Sequence, residues 1–356
     1  MNQSVSESTQ ENRDIRCSHS ESFAALLNQL RISLLISTYQ TGHLVVVSAP
    51  DGKLNLAFNQ FERAMGVAVK SGTIAICTRK EVWFLRDSPD IAAKLPGEVK
   101  HDACFLARTS HFTGDIQAHE AAWIRGAKGA SEFWIVNTLF SCLCALHPHY
   151  SFAPRWRPPF ISAWRPEDRC HLNGIAVVDG EPRYVTALAE TDSASGWRGV
   201  KHDGGCIIEV PSGRLVARGL CLPHSPRVDG GRLFFLRSGE SDLAVADGRS
   251  GGVASVVPVP GVARGLGLHG GYAFVGISKA RPTLEGVPIV AERDKLRCGV
   301  WVVDLRSGSI AGHLEFNTGV EEIFDVQILP GIVAPYVSGP AADKDTGQPL
   351  WTVPPA

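Results

Sequence analysis

Asn173-Gly174-Ile175-Ala176 decides the reading of this chain, because its pattern recurs six times. The other copies are Met65-Gly66-Val67-Ala68, His119-Glu120-Ala121-Ala122, His224-Ser225-Pro226-Arg227, Arg264-Gly265-Leu266-Gly267 and Phe324-Asp325-Val326-Gln327. The steps between their first residues are 54, 54, 51, 40 and 60. Each copy opens a short strand that is followed by a turn and a second strand. A period near 50 built from short strands marks a blade-repeat architecture. The expected fold is therefore all-β, a six-bladed β-propeller in which the innermost strands line a central channel.

The rest of the chain fits this period. The first blade reads GVAVK, TIAICT, EVWFL and an outer strand near CFLARTS, and four further blades follow in the same order. Val, Ile, Phe, Trp and Tyr gather in the runs, while Gly, Pro, Asp and Ser fall between them. Asp-Gly, Ser-Gly and Gly-Gly pairs at 51–52, 179–180, 203–204, 212–213, 229–230, 247–248, 270–271 and 307–308 suit tight turns that need φ > 0. The sixth phrase, FDVQILPG, has almost no chain after it, and a single strand leaves an unpaired edge. Three N-terminal strands, SLLIST (33–38), HLVVVSA (43–49) and KLNLAF (53–58), lack an innermost partner. Together they predict one blade closed by both termini. The expected organisation is a disordered tail over 1–30 with a short helix near 20–30, a propeller over 31–335 and an irregular tail over 336–356. The helix rests on the capping-box spacing of Ser18 and Glu21 ahead of FAALLNQL.

The whole-chain balance narrows the partners. The formal net charge is −1, which argues against nucleic acid or an anionic membrane held by bulk charge. The polar start, MNQSVSESTQENRD, has no basic n-region or apolar h-region, so a cytoplasmic location is expected. Nine scattered cysteines, mostly inside apolar strands, suit reduced buried thiols. Cys142-Leu-Cys144 is a C-x-C pair with no second pair to complete a zinc site.

If the blades superpose, Met65, His119, Asn173, His224, Arg264 and Phe324 ring one level of the channel. His119, His171 and His224 then supply imidazole nitrogens to one divalent metal, with Glu120, Asn173 or Asp325 as oxygen donors; Zn, Fe, Cu and Ni fit such a set. The same histidines equally suit bonds to backbone groups or water in a polar channel. His119, His171, His224, Glu120 and Asp325 are the candidate catalytic residues. Asn173, Arg227, Arg264, Trp164 and Arg198 are the candidate substrate contacts, since Arg and Trp are typical anchors. The function expected from this set is action on a small polar molecule or peptide, by hydrolysis or oxidation. The alternative is a non-catalytic propeller that binds a partner protein through the Arg/Trp-rich loop at 155–171.

A set of longer motifs adds a resemblance. Phe112-Thr-Gly-Asp115 with His119, Val136-Asn-Thr-Leu-Phe-Ser-Cys142, Arg155-Trp-Arg-Pro-Pro-Phe-Ile-Ser162 and Glu167-Asp-Arg-Cys-His-Leu-Asn-Gly174 are four of them. Thr186-Ala-Leu188, Gly196-Trp-Arg198, Pro223-His-Ser-Pro-Arg227, Cys298-Gly-Val300 and Glu322-Ile-Phe-Asp-Val326 are the others. Over roughly residues 33–335 the chain resembles an uncharacterised bacterial family of propeller-like proteins, sometimes linked to tetratricopeptide-repeat proteins. The resemblance implies a propeller and a possible tetratricopeptide-repeat partner, but no activity. Glu120 stands where the family favours Asp. The NGIAV phrase is also similar to gluconolactonase-like and strictosidine-synthase-like six-bladed propellers. The lactonases hold calcium with carboxylates and asparagines, whereas this chain offers histidines.

Overall fold

The computed structural model of the protein describes residues 14–126, 129–281, 284, 286–345 and 350–353. Its strands form six sheets around one axis. The closing blade runs, from the inside outwards, Asp325–Pro330, Ile32–Thr38, His43–Ser48 and Asn55–Gln60. The first blade runs Val67–Lys70, Thr73–Cys77, Glu81–Asp87 and Ala103–Phe112. The second runs Ala118–Arg125, Ser131–Asn137, Cys142–His147 and Tyr150–Trp156. The third runs Leu172–Val178, Glu181–Ala187, Gly205–Glu209 and Leu215–Leu220. The fourth runs Pro223–Asp229, Arg232–Arg237, Asp242–Ala246 and Val253–Pro258, and the fifth Val262–His269, Tyr272–Ser278, Gly299–Asp304 and Ser309–Thr318.

Each inner strand packs beside the next, and the last returns to the first. The expected ring closure is present: Leu34 pairs with Ile328 and Ile36 with Val326 in antiparallel register. Apolar clusters fill the spaces between neighbouring blades. One joins Leu34, Ile36 and Val45 of the closing blade to Phe274, Val300 and Leu314 of the fifth.

Both expected tails are more ordered than their composition suggests. Over its described residues the segment 14–30 is a strand and a helix. Arg16–His19 lies antiparallel on Ser309–Thr318, adding a fifth strand to the fifth blade. The helix Glu21–Leu30 buries Phe23, Ala24, Leu26 and Leu27 against the closing and fifth blades. Its N-cap is Ser20 rather than Ser18, and the Ser20 hydroxyl accepts from His313 N–H instead of capping the helix. Residues 1–13 lie outside the described residues. At the other end, Pro335–Ser338 adds a parallel fifth strand to the first blade, and Ala342–Asp345 forms a helical turn. The Asp345 carboxylate accepts from Gln60 N–H. In each case a strand edge is covered that would otherwise offer its backbone to another chain.

The six phrases are what bind blade to blade. Their second residues alternate around the ring: Gly66, Glu120, Gly174, Ser225, Gly265, Asp325. The three side chains each accept from an N–H of the following blade: Glu120 from Ile175 at 3.0 Å, Ser225 from Gly265 at 3.2 Å and Asp325 from Val67 at 2.9 Å. The three glycines instead let the following backbone come close. A Cβ on Gly66 would stand 2.6 Å from His119 O, and one on Gly174 would meet Pro226 and Thr186. A second set of ties comes from hydroxyls at the end of the second strand. Ser37 donates to Met65 O, Thr138 to Leu172 O, Ser238 to Ala263 O and Ser278 to Ile323 O. In the third blade the tie runs from Thr186 through Asn173 to Pro223 O.

The expectation that follows concerns close approach. Gly66→Ala and Gly174→Ala each force backbone or packed side chains apart and should cost about 1–3 kcal/mol in urea unfolding. Gly199→Ala, where a Cβ meets nothing within 4 Å, should stay within about 0.5 kcal/mol of the parent. Equal losses at all three positions would refute the account of the ring.

Candidate functional site at the channel mouth

Each inner strand starts at the same end of the channel, so the residues that open it converge there. With the loops above them they wall a cavity of about 280 Å³. Met65, His119, His224, Arg264 and Phe324 reach it from phrase-opening positions. Four blades also turn into the inner strand through a left-handed residue two places earlier: Arg63, Gln117, His171 and Leu222, with φ between 50° and 53°. All four line the cavity. His171 therefore occupies the register of Arg63 and Gln117, not that of His119 and His224. The expectation that Asn173 joins the ring is corrected. Asn173 is buried, with Oδ1 accepting from Thr186 and Nδ2 donating to Pro223 O, because the third blade has no hydroxyl that reaches the next blade unaided.

The histidines do meet. The rings of His119 and His171 stand 4.8 Å apart edge to face, and His224 lines the same cavity. Two of them are built alike. His119 Nδ1 lies 3.1 Å from Gln117 O and 2.7 Å from Thr138 Oγ1, whose proton goes to Leu172 O. His224 Nδ1 lies 3.0 Å from Leu222 O and 2.9 Å from Ser238 Oγ, whose proton goes to Ala263 O. A carbonyl only accepts, so Nδ1 carries the hydrogen in both rings and Nε2 carries a lone pair. Burial, reinforced by neighbouring cations such as Arg264, holds both histidines well below their ordinary pKa, so both are neutral. His171 differs: Nδ1 sits 2.9 and 3.0 Å from the two oxygens of Asp168, which also accepts from Trp197 Nε1 at 2.9 Å. Asp168 and His171 are both left-handed, at φ 45° and 50°, a conformation that for non-glycine residues collects at functional sites.

This set does not make the expected metal site. Among the described residues no group of three or more His, Cys, Asp or Glu is placed to hold a metal ion. Glu120 and Asp325, expected as oxygen donors or catalytic acids, lie outside the cavity wall. Both are buried and spend their oxygens on neighbouring blades. Arg227, expected at the substrate, is turned to the same pair, 3.0 Å from Glu120 and 3.8 Å from Asp325. Trp164 is exposed and does not line the cavity, with the Arg157 guanidinium 4.7 Å from its ring centroid. Arg264 and Arg198 do line the cavity, Arg264 with its guanidinium 3.5 Å from the Phe324 ring centroid.

The wall is cationic. Arg63, Arg79, Arg198, Lys201, Arg264, Lys279 and Arg281 face it, against the carboxylates Asp115, Asp168 and Glu322. Glu62 and Glu321 pair with Arg79 and Lys279 without lining the cavity; counting them, seven cations still exceed five acids. Arg281 pairs with Glu322. Arg264 Nη2 is buried without a hydrogen bond among the described residues. Burial pulls Arg264 down to about 10 and, with the charge of Arg264, Arg281 to about 9; both stay charged at neutral pH. Arg281 comes from the 279–297 insertion, whose buried Val287 and Ile289 pack on Leu188 and Leu222 and fix it over the mouth. Its part was not legible in the sequence, whereas Asp168, three residues before His171, was within reach of a motif reading. The cysteines stay apart from this chemistry: all nine are free and eight are buried, and burial pushes up the thiols of Cys77, Cys170, Cys206 and Cys298, and those of Cys104 and Cys221 to about 11.

Fold and site together define a six-bladed propeller with a cationic, histidine-lined pocket at one end of its channel. The chain belongs to the family described as "Domain of unknown function (DUF4915)", whose model matches residues 21–337. No curated protein matches it. Among solved structures, a protein of unknown function from Bacteroides caccae aligns with TM-score 0.49 at 12% identity, covering 84% of this chain and 98% of that one. A chain of a nidogen/laminin complex aligns with TM-score 0.48 at 10% identity, covering 84% and 99%.

A pH dependence follows from the two neutral histidines. Unfolded, each takes up a proton as pH falls through about 6.5. Folded, neither does so until far lower pH. The unfolded state then binds more protons, so stability is fully present above that pH and declines as pH falls below it. Asp325, raised to about 6 by burial and by Glu120, works in the opposite sense as pH falls through about 6, so it enters only at the acid end of the range below. Urea unfolding between about pH 7.5 and 6 should show this decline, and His119→Gln with His224→Gln should flatten it. A parent protein with no slope over that range would show that the histidines titrate normally.

Proposed function

We propose that the channel mouth binds a small anionic molecule and that the Asp168–His171 pair acts on it as a general base. One observation carries this reading: the cavity gathers seven cations, and the innermost guanidinium, Arg264, has a buried Nη2 with no hydrogen-bond partner among the described residues. A buried polar group without a partner is costly, and a carboxylate or phosphate satisfies a guanidinium in its own fork geometry. Asp168 supports the second half. By accepting at Nδ1 it fixes the ring and leaves Nε2 to take a proton from a ligand hydroxyl or a water. The reading needs no metal. A protein-contact role remains a second reading, favoured by exposed Trp164 stacked under Arg157 on the outer loop.

Thermal unfolding with phosphate or citrate tests the anion. At concentrations about a hundredfold above Kd the folded state should gain about 2.7 kcal/mol, and the melting temperature should rise accordingly. Sodium chloride at matched ionic strength should not reproduce the shift. Arg264→Gln, or Arg281→Gln as a second variant, should remove most of it. An equal shift with chloride, or an unchanged shift in both variants, would show that the cavity is not the anion site.

A further inference from the structure

We infer that the anion taken by this cavity also carries hydroxyl groups, which donate to the Nε2 atoms of His119 and His224. The inference rests on the anion reading above and names the ligand's chemical class.

The two imidazoles have only one ring nitrogen each left to offer a ligand. Their Nδ1–H groups are committed to Gln117 O and Leu222 O, and the neighbouring hydroxyls of Thr138 and Ser238 have already given their protons to the next blade. Each ring therefore presents Nε2 as an acceptor only. No described residue donates to either Nε2. A bare carboxylate such as acetate would satisfy the arginines, but it sets oxygen lone pairs against nitrogen lone pairs at the histidines. A ligand with ammonium donors would suit the histidines, but seven cations in the wall oppose it. A molecule with an anionic end and neutral O–H donors satisfies both sets.

The cavity is arranged for such a two-ended ligand. His119 and His224 open the inner strands of the second and fourth blades, with His171 at the entry to the third between them. Arg264 and Arg281 belong to the fifth blade and its insertion. Lys279 joins them there and Arg63 and Arg79 come from the first blade, while Arg198 and Lys201 rise from the third blade, on the side of the histidines. The volume of about 280 Å³ lies at the lower edge of small-molecule sites, which suits a compact ligand. Tyr39 stacks on Phe324, ring centroids 5.7 Å apart, and both line the wall, adding an apolar face.

Calorimetric titration of the full chain with matched probes tests the class. Glucuronate and cyclohexanecarboxylate share one carboxylate on a six-membered ring and differ in hydroxyls. Glycerol 3-phosphate and propyl phosphate make the same contrast for a phosphate. The hydroxylated member of each pair should bind at least about tenfold tighter. In His119→Phe with His224→Phe the preference should shrink to within about twofold while both members still bind. Equal affinity within both pairs in the parent protein would overturn the hydroxyl inference and leave the anion reading standing. Tighter binding of N-acetylglycine than of glucuronate would overturn it in favour of an amide donor. Failure of every probe, phosphate included, would bring down the anion reading and this inference with it.

Discussion

Besides the apolar clusters that fill the spaces between blades, the ring depends on the inner strand of each blade reaching the inner strand of the next. That approach is tightest at the second residue of the repeated phrase. Glycine and a hydrogen-bond acceptor alternate there: Gly66, Glu120, Gly174, Ser225, Gly265, Asp325. The acceptors reach across to Ile175, Gly265 and Val67 N–H, and the glycines remove the Cβ that would hold the blades apart. Two of the acceptors are carboxylates, and burying them has a consequence. A buried charge needs a partner, and losing one partner of such a pair costs about 3–5 kcal/mol. Arg227, from the fourth blade, supplies that partner to Glu120 of the second blade and Asp325 of the closing blade.

The same electrostatics shapes the pocket above. Arg227 is met by two carboxylates, so Glu120 and Asp325 have little left to give. Arg264, one blade on, feels both acids at a distance but bonds neither; it lies over Phe324 with Nη2 unsatisfied. Charge that serves the ring and charge that faces the cavity are thus separated by one level. His119 and His224 belong to both levels, since their Nδ1 atoms sit among the blade ties while their rings line the pocket. The identical carbonyl-and-hydroxyl cradle around each explains why the two share one tautomer.

Much of this was legible in the sequence, and what was not has physical reasons. The six phrases, the strand order and the closure by residues 33–58 with 323–329 follow from period and edge pairing alone. So does the meeting of His119, His171 and His224 in one cavity. The roles inside the phrase were harder to see. Glu120 and Asp325 read as catalytic carboxylates because their residue type suits it; only the distance to the next blade's backbone shows that they are spent. Asn173 opens its phrase but turns inward to the blade tie, and His171 reaches the cavity from the left-handed entry turn two residues earlier, a conformation that spacing does not reveal. The Ser/Thr that closes the second strand, as at Ser37, Thr138, Ser238 and Ser278, is itself periodic and was open to reading. Arg281 was not, since its insertion has no counterpart in the other blades. The helix at 21–30 was legible in FAALLNQL, but the edge strands Arg16–His19 and Pro335–Ser338 were not, because an edge strand contributes backbone pairing rather than an apolar signal.

On the function proposed above, the buried guanidinium of Arg264 takes an anion in the channel mouth. A crystal structure of the protein with selenate, recorded at the selenium edge, tests it most directly. The account predicts an anomalous peak in the cavity within hydrogen-bond reach of Arg264 and Arg281, about 3 Å from nitrogen to oxygen. Selenium peaks only on the outer surface, with Arg264 turned down to bond Glu120 or Asp325, would contradict it.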